Sequence, residues 1–205
     1  MCFFALPQLY PNVKGRLLLM PKTKAQRFLF AFLTVVVTVH AYVFYSLYVI
    51  NGSTLMSLTG AASVLAAIRA QGGVCLAGQM APIWMVVLVE FVLALSMEVL
   101  VGSPCSFRLA ARCFDPASTH PVLMETAVIC ATVGIMCPLM SFLAAWLYYP
   151  YYLGFHPATL LANWLKLVCL NFPFGLFTQL FFIQPLVRKV FGLIIRPKKK
   201  MDAAT

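Results

Sequence analysis

The stretch VEFVLALSMEVLVGSP, residues Val89–Pro104, decides the class of this protein. It has the length and the apolar character of a helix in lipid, yet it holds Glu90 and Glu98, two of only five acidic residues. The chain of 205 residues is 62% hydrophobic and 10% charged, whereas about a quarter of a soluble domain is charged. A soluble fold of this length cannot bury so much apolar surface, so the sequence predicts an integral membrane protein.

Four apolar runs are long enough to cross about 30 Å of hydrocarbon at about 1.5 Å per helical residue. The predicted spans are Arg27–Ile50, Pro82–Ser103, Pro121–Tyr148 and Thr159–Pro185. A fifth apolar piece, Thr54–Ile68, is shorter and richer in Gly, Ser and Thr. We expect it to form a short interfacial or re-entrant helix in a long first external loop. The sequence therefore predicts an all-α polytopic membrane protein with four transmembrane helices.

Basic residues are distributed unevenly along the chain. They precede the first span and follow the second and the fourth, whereas the loop between the first two spans holds only Arg69 and the loop between the last two holds none. Because Lys and Arg accumulate on the cytoplasmic side, both termini are predicted to be cytoplasmic. The basic segments, which include Lys198–Lys200, are predicted to bind anionic headgroups of the lipid bilayer. They form no patch with interleaved aromatic residues, so nucleic acid is not an expected partner.

The segment Glu90–Pro104 has a counterpart 81 residues later in the chain. EFVLALSMEVLVGSP aligns with NFPFGLFTQLFFIQP, residues Asn171–Pro185, and the alignment puts Glu98 over Gln179. We interpret the chain as two tandem copies of one two-helix hairpin. Because an even number of spans per copy preserves orientation, the hairpins should be parallel and related by a pseudo-two-fold axis along the membrane normal.

The closing stretch NFPFGLFTQLFFIQPLVRKV resembles a family of small bacterial integral membrane proteins known as domain of unknown function 2798. The family's unit is a two-helix hairpin whose second helix has an aromatic- and proline-rich middle and ends in proline followed by basic residues. The resemblance covers roughly Pro21–Pro197 and is better in the second hairpin, because Val92 stands where the second copy has Pro173. It implies a fold and a location in the bacterial cytoplasmic membrane, and it transfers no catalytic residue.

The apolar runs and the resemblance together divide the chain into four segments. Residues 1–20 are expected to be a poorly ordered N-terminal extension. Residues 21–116 and 117–197 are expected to be the first and second membrane repeats, and residues 198–205 a basic cytoplasmic tail.

Polar residues of the predicted spans fall into two layers when depth is counted at about 1.5 Å per residue from the cytoplasmic edge. The layer just beyond the membrane centre holds candidate proton- or substrate-binding residues, namely His40, Glu90, Asn171 and, further out, Lys166. The layer nearer the cytoplasm holds another candidate and two supporting residues, namely Glu98, Gln179 and Glu125. Structural explanations exist for most of them: hydrogen bonds between helices for the amides, the helix dipole for Glu125 and outward snorkelling for Lys166.

Glu90 is the hardest of these residues to explain structurally, because a carboxylate at this depth costs at least about 2.5 kcal/mol. The carboxyl group must be protonated, be paired with another polar side chain, or contact water. A pair with Lys166 or His40 would only hold the bundle together. A carboxylate on a transport path would instead bind protons or cations.

Two functions from different classes remain. The sequence has no nucleotide-binding glycine loop, metal-ligand cluster or nucleophile–base motif, so we expect neither an enzyme nor a cofactor. The first hypothesis is a small proton-coupled transporter or efflux-type carrier. Because four helices alone are expected to enclose little volume, it also predicts a homo-oligomer. The second is a non-catalytic membrane scaffold, sensor or assembly factor. A carrier needs Glu90 to face a cavity that water can reach, whereas a scaffold needs Glu90 to be packed against Lys166 or His40.

The uneven distribution of basic residues predicts the topology. Reporter fusions placed at Gly73 and Gly154 should score as external, and fusions at Pro116 and at the C-terminus should score as internal. Alkaline phosphatase and fluorescent-protein fusions in cells measure the two outcomes independently. An external C-terminus would overturn the predicted orientation.

Overall fold

The computed structural model describes residues 23–116 and 118–195. Over these residues it confirms four helices that are long and apolar enough to cross a membrane, here spans 1 to 4. They are Ala25–Ile50, Ile83–Cys113, Val122–Leu147 and Pro157–Ile194. The predicted N-terminal extension, residues 1–20, and the predicted basic tail, residues 198–205, lie outside the described residues.

The spans are built from α-helices and short π-helical segments. Span 1 contains α1 (Lys24–Phe44) and the π segment Tyr45–Ile50, and the loop after it contains α2 (Gly52–Thr59), α3 (Val64–Ala70), β1 (Val74–Leu76) and β2 (Gln79–Ala81). Span 2 contains α4 (Ile83–Met97), the π segment Glu98–Gly102 and α5 (Ser103–Cys113). Span 3 lies within α6 (Pro121–Leu147), and a 3₁₀ turn (Tyr151–Leu153) follows it. Span 4 contains α7 (Pro157–Thr178), the π segment Gln179–Ile183 and α8 (Gln184–Ile194).

Local sequence sets where the spans begin. α1 starts with a capping box, in which the Thr23 hydroxyl accepts from the Gln26 backbone N–H at 3.2 Å and the Gln26 side chain accepts from the Thr23 N–H at 3.3 Å. α6 and α7 both begin at a proline, Pro121 and Pro157. A proline fits there because the first turn of a helix does not need its missing N–H.

The spans form a ring in which each packs against two others. Span 1 lies between spans 2 and 4, and span 3 also lies between spans 2 and 4. Aromatic pairs lie at two of the contacts between spans. The ring centroids of Phe30 on span 1 and Phe191 on span 4 are 5.4 Å apart, and those of Phe32 on span 1 and Phe91 on span 2 are 5.4 Å apart. This order leaves a space in the middle that all four spans border.

The two ends of the ring differ in chemistry. The end where α1 starts and α8 finishes carries Arg27 and Arg188, and it is named the basic end. The opposite end carries residues 51–82 and 148–156, and it is named the loop end. Successive spans run in opposite directions between these two ends.

The loop between spans 1 and 2 is more structured than predicted. The sequence predicted one short helix over Thr54–Ile68, whereas the structure has two, α2 and α3, bent by 53°. Gly60 ends α2 with a φ of +66°, the left-handed conformation that favours glycine. β1 and β2 then pair as an antiparallel hairpin, a small β element in a chain predicted to be all-α.

The turn of this hairpin attaches the loop to span 3. Ala77 and Gly78 form the turn with φ of +50° and +83°, the signs that a two-residue type I′ turn requires. The Ala77 N–H donates to the Leu147 carbonyl oxygen at 2.7 Å. Because the last carbonyls of a helix have no partner within it, this bond completes the loop end of α6.

Spans 2 and 4 extend beyond their predicted ends. The sequence predicted apolar runs that end at Ser103 and Pro185. In the structure the helices do not end there, and both spans continue past Pro104 and Pro185 as α5 and α8.

The π segments explain how the helices pass these prolines. Directly before Pro104 and Pro185, the Ser103 N–H donates to the Glu98 carbonyl and the Gln184 N–H to the Gln179 carbonyl, five residues back in each case. This wider turn shifts the hydrogen-bond register where a proline ring would otherwise clash.

The element bounds of spans 2 and 4 recur at the 81-residue offset of the sequence alignment. Glu98–Gly102 and Gln179–Ile183 are both π segments of 5 residues, and the 11-residue helices α5 and α8 follow them directly. The recurrence concerns these two spans. A parallel tandem arrangement of two whole hairpins stays a prediction.

Substitution of Gly175 tests how span 4 packs against span 1. A Cβ atom at Gly175 would overlap the Tyr42 hydroxyl, so we expect Gly175→Ala to lower the free energy of unfolding by about 1–3 kcal/mol. Gly134→Ala on α6 is the matched control, because no described atom beyond its chain neighbours and its own helix backbone lies within 4 Å of its added Cβ. Thermal unfolding in detergent measures both variants. If G175A melts at the same temperature as the wild type, Tyr42 does not pack against α7 as described.

Candidate functional site

A cavity of about 1590 Å³ runs along the middle of the ring. Its lining extends from Arg27 and Arg188 at the basic end to Gln71 and Cys75 at the loop end. The expectation that four helices alone enclose little volume is therefore wrong, since one chain borders a space larger than the usual small-molecule site of about 300–1,000 Å³. The small enclosed volume was the argument for a homo-oligomer. Without it, the homo-oligomer stays a prediction.

Glu90 lines the cavity in its half toward the loop end. Its carboxylate accepts a hydrogen bond from the Tyr148 hydroxyl at 2.5 Å. Tyr148 directly follows span 3, and burial, together with the charge of Glu90, raises the pKa of the Tyr148 hydroxyl above its usual value. The phenol therefore keeps its proton and acts as the donor, and the bond ties span 2 to span 3.

Asn171 joins spans 3 and 4. Its side-chain amide donates to the hydroxyl of the buried Ser141 at 3.2 Å. Trp164, on the same helix, donates from its indole N–H to the Pro138 carbonyl at 2.9 Å. Both bonds cross between α6 and α7, so Asn171 has the interhelical bond that its structural explanation requires.

Two tyrosines of span 1 support the α7 backbone near its internal proline. Tyr42 donates to the Asn171 carbonyl at 3.3 Å, and Tyr45 donates to the Leu170 carbonyl at 3.2 Å. Pro173 follows these residues and leaves the carbonyl of Cys169, four residues back, without a helical donor. The tyrosine bonds go to the next two carbonyls, so they tie span 1 to the turn of α7 that precedes this proline.

Gln179 joins span 4 to span 1 in the half of the cavity toward the basic end. Its amide N–H donates to the Thr38 hydroxyl at 2.9 Å, and that hydroxyl donates to the Thr34 carbonyl at 2.7 Å. The Gln184 amide donates to the Gln179 side-chain oxygen at 3.5 Å. Both ends of the Gln179 amide are therefore occupied.

Glu98 holds the aligned position on span 2 and has fewer partners. Its carboxylate accepts from the Ser103 hydroxyl at 2.8 Å, the single hydrogen bond of this side chain within the described residues. It lies against Gly102, where a Cβ atom would meet the carboxylate. The Met136 sulfur of span 3 would contact the same Cβ atom, and a methionine side chain has no hydrogen-bond donor to offer Glu98. Glu98 thus lines the cavity with one carboxylate oxygen that accepts no hydrogen bond from the described residues.

Glu125 and Arg188 tie spans 3 and 4 together at the basic end. The Arg188 guanidinium contacts both carboxylate oxygens of Glu125, one of them through a hydrogen bond of 2.9 Å. Such a bidentate pair fixes the geometry of both side chains. The sequence assigned Glu125 a supporting role beside the helix dipole and did not predict this ion pair.

His40 does not lie with the other candidates. Its side chain is exposed, and its Nδ1 atom is 2.8 Å from the Val36 carbonyl oxygen of its own helix. The adjacent Val39 is 4% exposed, and neighbouring residues on a helix point about 100° apart. The face that buries Val39 therefore turns His40 away from the cavity that Glu90 and Asn171 line. The shared depth of the three residues stays a prediction.

Lys166 lines the cavity toward the loop end with an exposed side chain. It makes no hydrogen bond or ion pair with any other residue in 23–116 or 118–195. The expected pairs of Glu90 with Lys166 or His40 are thus replaced by the bond with Tyr148. Tyr148 belongs to the aromatic stretch WLYYPYY, residues 146–152, and that pattern alone does not distinguish it from the tyrosines beside it.

The arrangement is suited to binding protons and polar solutes. Glu90 and Glu98 bring two carboxyl groups to the cavity wall, among hydroxyl and amide groups from all four spans. Within the described residues, no group of three or more His, Cys, Asp and Glu side chains could hold a metal ion.

Residues 126–195 match the model of a family described as Domain of unknown function (DUF2798). The match confirms the family resemblance over the second hairpin, from α6 through α8. No curated protein and no solved structure matches the chain. The first of the two predicted tandem copies stays a prediction.

Removal of the Tyr148 hydroxyl tests the bond that ties span 2 to span 3. Tyr148→Phe leaves a carboxyl group inside the bundle without its partner, so we expect the free energy of unfolding to fall by about 1–3 kcal/mol. Tyr152→Phe is the matched control, because Tyr152 is 79% exposed. Thermal unfolding in detergent compares the two. Equal melting temperatures for the two variants would contradict a bond that contributes to stability.

Proposed function

We propose that this protein is a small proton-coupled carrier of the bacterial cytoplasmic membrane, with both termini in the cytoplasm. One observation carries the proposal: Glu90 and Glu98 both line a cavity that extends along four membrane-spanning helices. Ionisable residues within membrane spans are rare, and those that face a cavity commonly mark the path of a substrate or a proton.

The two carboxyl groups are spaced like successive positions on a pathway. Eight residues of the same span separate them, about 12 Å along the helix. Glu90 bonds to Tyr148 near the loop end, and Glu98 bonds to Ser103 nearer the basic end. A proton that crosses the cavity would meet the two groups one after the other.

Each carboxyl group has one form suited to the carrier without solute and another suited to the carrier with solute bound. A charge inside a helix bundle costs several kcal/mol unless it is compensated, so the protonated form fits the carrier without solute. Water or a bound solute compensates the ionised form. A proton that leaves the carboxyl oxygen therefore passes to water as the solute enters, and it returns when the solute leaves.

The ring also offers a route to alternating access. π-helical turns are rare and often lie at functional sites, and spans 2 and 4 each have one beside the cavity. We propose that the two hairpins are tandem repeats that rock about these turns, as repeats do in many carriers. The 81-residue recurrence of the π segments supports this repeat.

A second function is favoured by a different observation. Glu90, Asn171, Gln179 and Glu125 each bond to a neighbouring span. Bonds of this kind hold a bundle together whether or not anything moves through it. On that basis the alternative is a non-catalytic membrane scaffold, sensor or assembly factor.

Reconstitution into lipid vesicles that contain a pH-sensitive dye distinguishes the two functions. Vesicles with an acidic interior are exposed to a panel of cationic, anionic, zwitterionic and neutral solutes. We expect at least one solute class to release protons through the wild-type protein. Glu90→Gln together with Glu98→Gln should abolish this release, because glutamine keeps the shape and cannot exchange a proton.

Asp115→Asn is the matched control, since it removes the same charge in the connection between spans 2 and 3, outside the cavity. It should leave the release unchanged. If folded wild-type protein releases no protons with any solute class, the carrier function is wrong and the scaffold function is supported.

A further inference from the structure

We infer that Glu98 and Gln179 are equivalent positions of one site, that Glu98 is the proton-binding group of that site, and that a carboxyl group at position 179 can take its place. The role of this site in transport rests on the proposed carrier function. Proton binding itself does not, and it can be measured without transport.

The two residues hold the same place in their spans. Each is the first residue of a π segment of 5 residues. Each side-chain oxygen accepts from the residue five positions later, Glu98 from Ser103 at 2.8 Å and Gln179 from Gln184 at 3.5 Å. The backbone repeats the same spacing, because the N–H groups of Ser103 and Gln184 donate to the carbonyls of Glu98 and Gln179.

The two residues also approach the cavity from opposite walls. Spans 2 and 4 lie across the ring from each other, with spans 1 and 3 between them. Glu98 and Gln179 both line the cavity. One ionisable and one neutral side chain therefore face the same space from equivalent places, which leaves one titrating group in the pair.

The surroundings explain why the ionisable group is on span 2. Gly102 leaves room for the Glu98 carboxylate, and the aligned position on span 4 is filled by Ile183, which is 2% exposed. Met136 gives Glu98 no donor, whereas Thr38 gives Gln179 a partner on span 1. Glu98 is thus free to exchange a proton with the cavity, and Gln179 is held by its bonds.

Position 179 can nevertheless hold a carboxyl group. The Thr38 hydroxyl donates to the Thr34 carbonyl and accepts from the Gln179 amide. A protonated glutamate at 179 can donate to the same hydroxyl oxygen, and its other oxygen can still accept from Gln184. On ionisation it can only accept, so a bond to Thr38 would then require that hydroxyl to turn away from the Thr34 carbonyl and donate to the carboxylate. Gain and loss of the proton would therefore change a contact between spans 4 and 1.

Four other charged groups on spans 1, 3 and 4 line the same cavity. Arg27 on span 1, Glu125 on span 3 and Arg188 on span 4 lie at the basic end, and Lys166 on span 4 lies toward the loop end. Glu125 and Arg188 are paired with each other. On span 2 itself, Glu90 is about 12 Å away along the helix.

Infrared spectroscopy of protein labelled with ¹³C-glutamate tests the inference. The chain has three glutamates, Glu90, Glu98 and Glu125, so the carbonyl band of protonated glutamate can be followed against pH in reconstituted protein. We expect Glu98→Gln to remove a pH-dependent component of this band. Gln179→Glu, added to the same chain, should restore one component, and Gln179→Glu alone should add one component to the wild-type band.

Asp115→Asn serves as the control and should leave the band unchanged. The inference is overturned if Glu98→Gln leaves the band unchanged, or if the folded double variant restores no component. If the double variant does not fold, Gln179→Glu alone decides, and absence of an added component overturns the inference.

Proton release from vesicles separates this result from the proposed function. If the band behaves as expected and no solute drives proton release, the two positions are equivalent and the carrier function is wrong. If Glu98→Gln still releases protons with the wild-type solute, the carrier function stands and Glu98 is not its proton-binding group. Restored release in the double variant supports both.

Discussion

Lipid offers no hydrogen bonds, and the rest of this structure depends on that constraint. Every polar group within the spans must find a partner inside the bundle or face water in a cavity. Glu90 bonds to Tyr148, and Gln179 bonds to Thr38. These bonds cross between different pairs of spans, so the polar residues that are costliest in lipid also hold the ring closed around its cavity.

The backbone next to three prolines of spans 2 and 4 shows two different arrangements. Before Pro173 two α7 carbonyls accept from tyrosines of span 1. At Pro104 and Pro185 the helix changes to a π turn instead. The first arrangement joins two spans through side-chain bonds, and the second changes the hydrogen-bond register within one span.

Different contacts hold the two ends of the cavity, a backbone hydrogen bond at one end and an ion pair at the other. At the loop end, the hairpin turn bonds to α6 through Ala77 and Leu147. At the basic end, Glu125 and Arg188 form an ion pair between spans 3 and 4. Glu98 lies between these ties with a single hydrogen bond. A group that exchanges protons needs such a place, because full bonding would fix one protonation state.

The sequence by itself determined the solvent, the four spans and the recurrence of Glu98 at Gln179, because apolar length and spacing along one chain carry that information. It also singled out Glu90 and Glu98 by their cost in lipid. It could not determine that His40 faces outward, that Tyr148 is the partner of Glu90, or that spans 2 and 4 continue past their prolines. Those outcomes depend on how each helix is rotated and on its hydrogen-bond register. Only packing of the spans against one another decides both, because lipid holds any apolar face of a helix equally well.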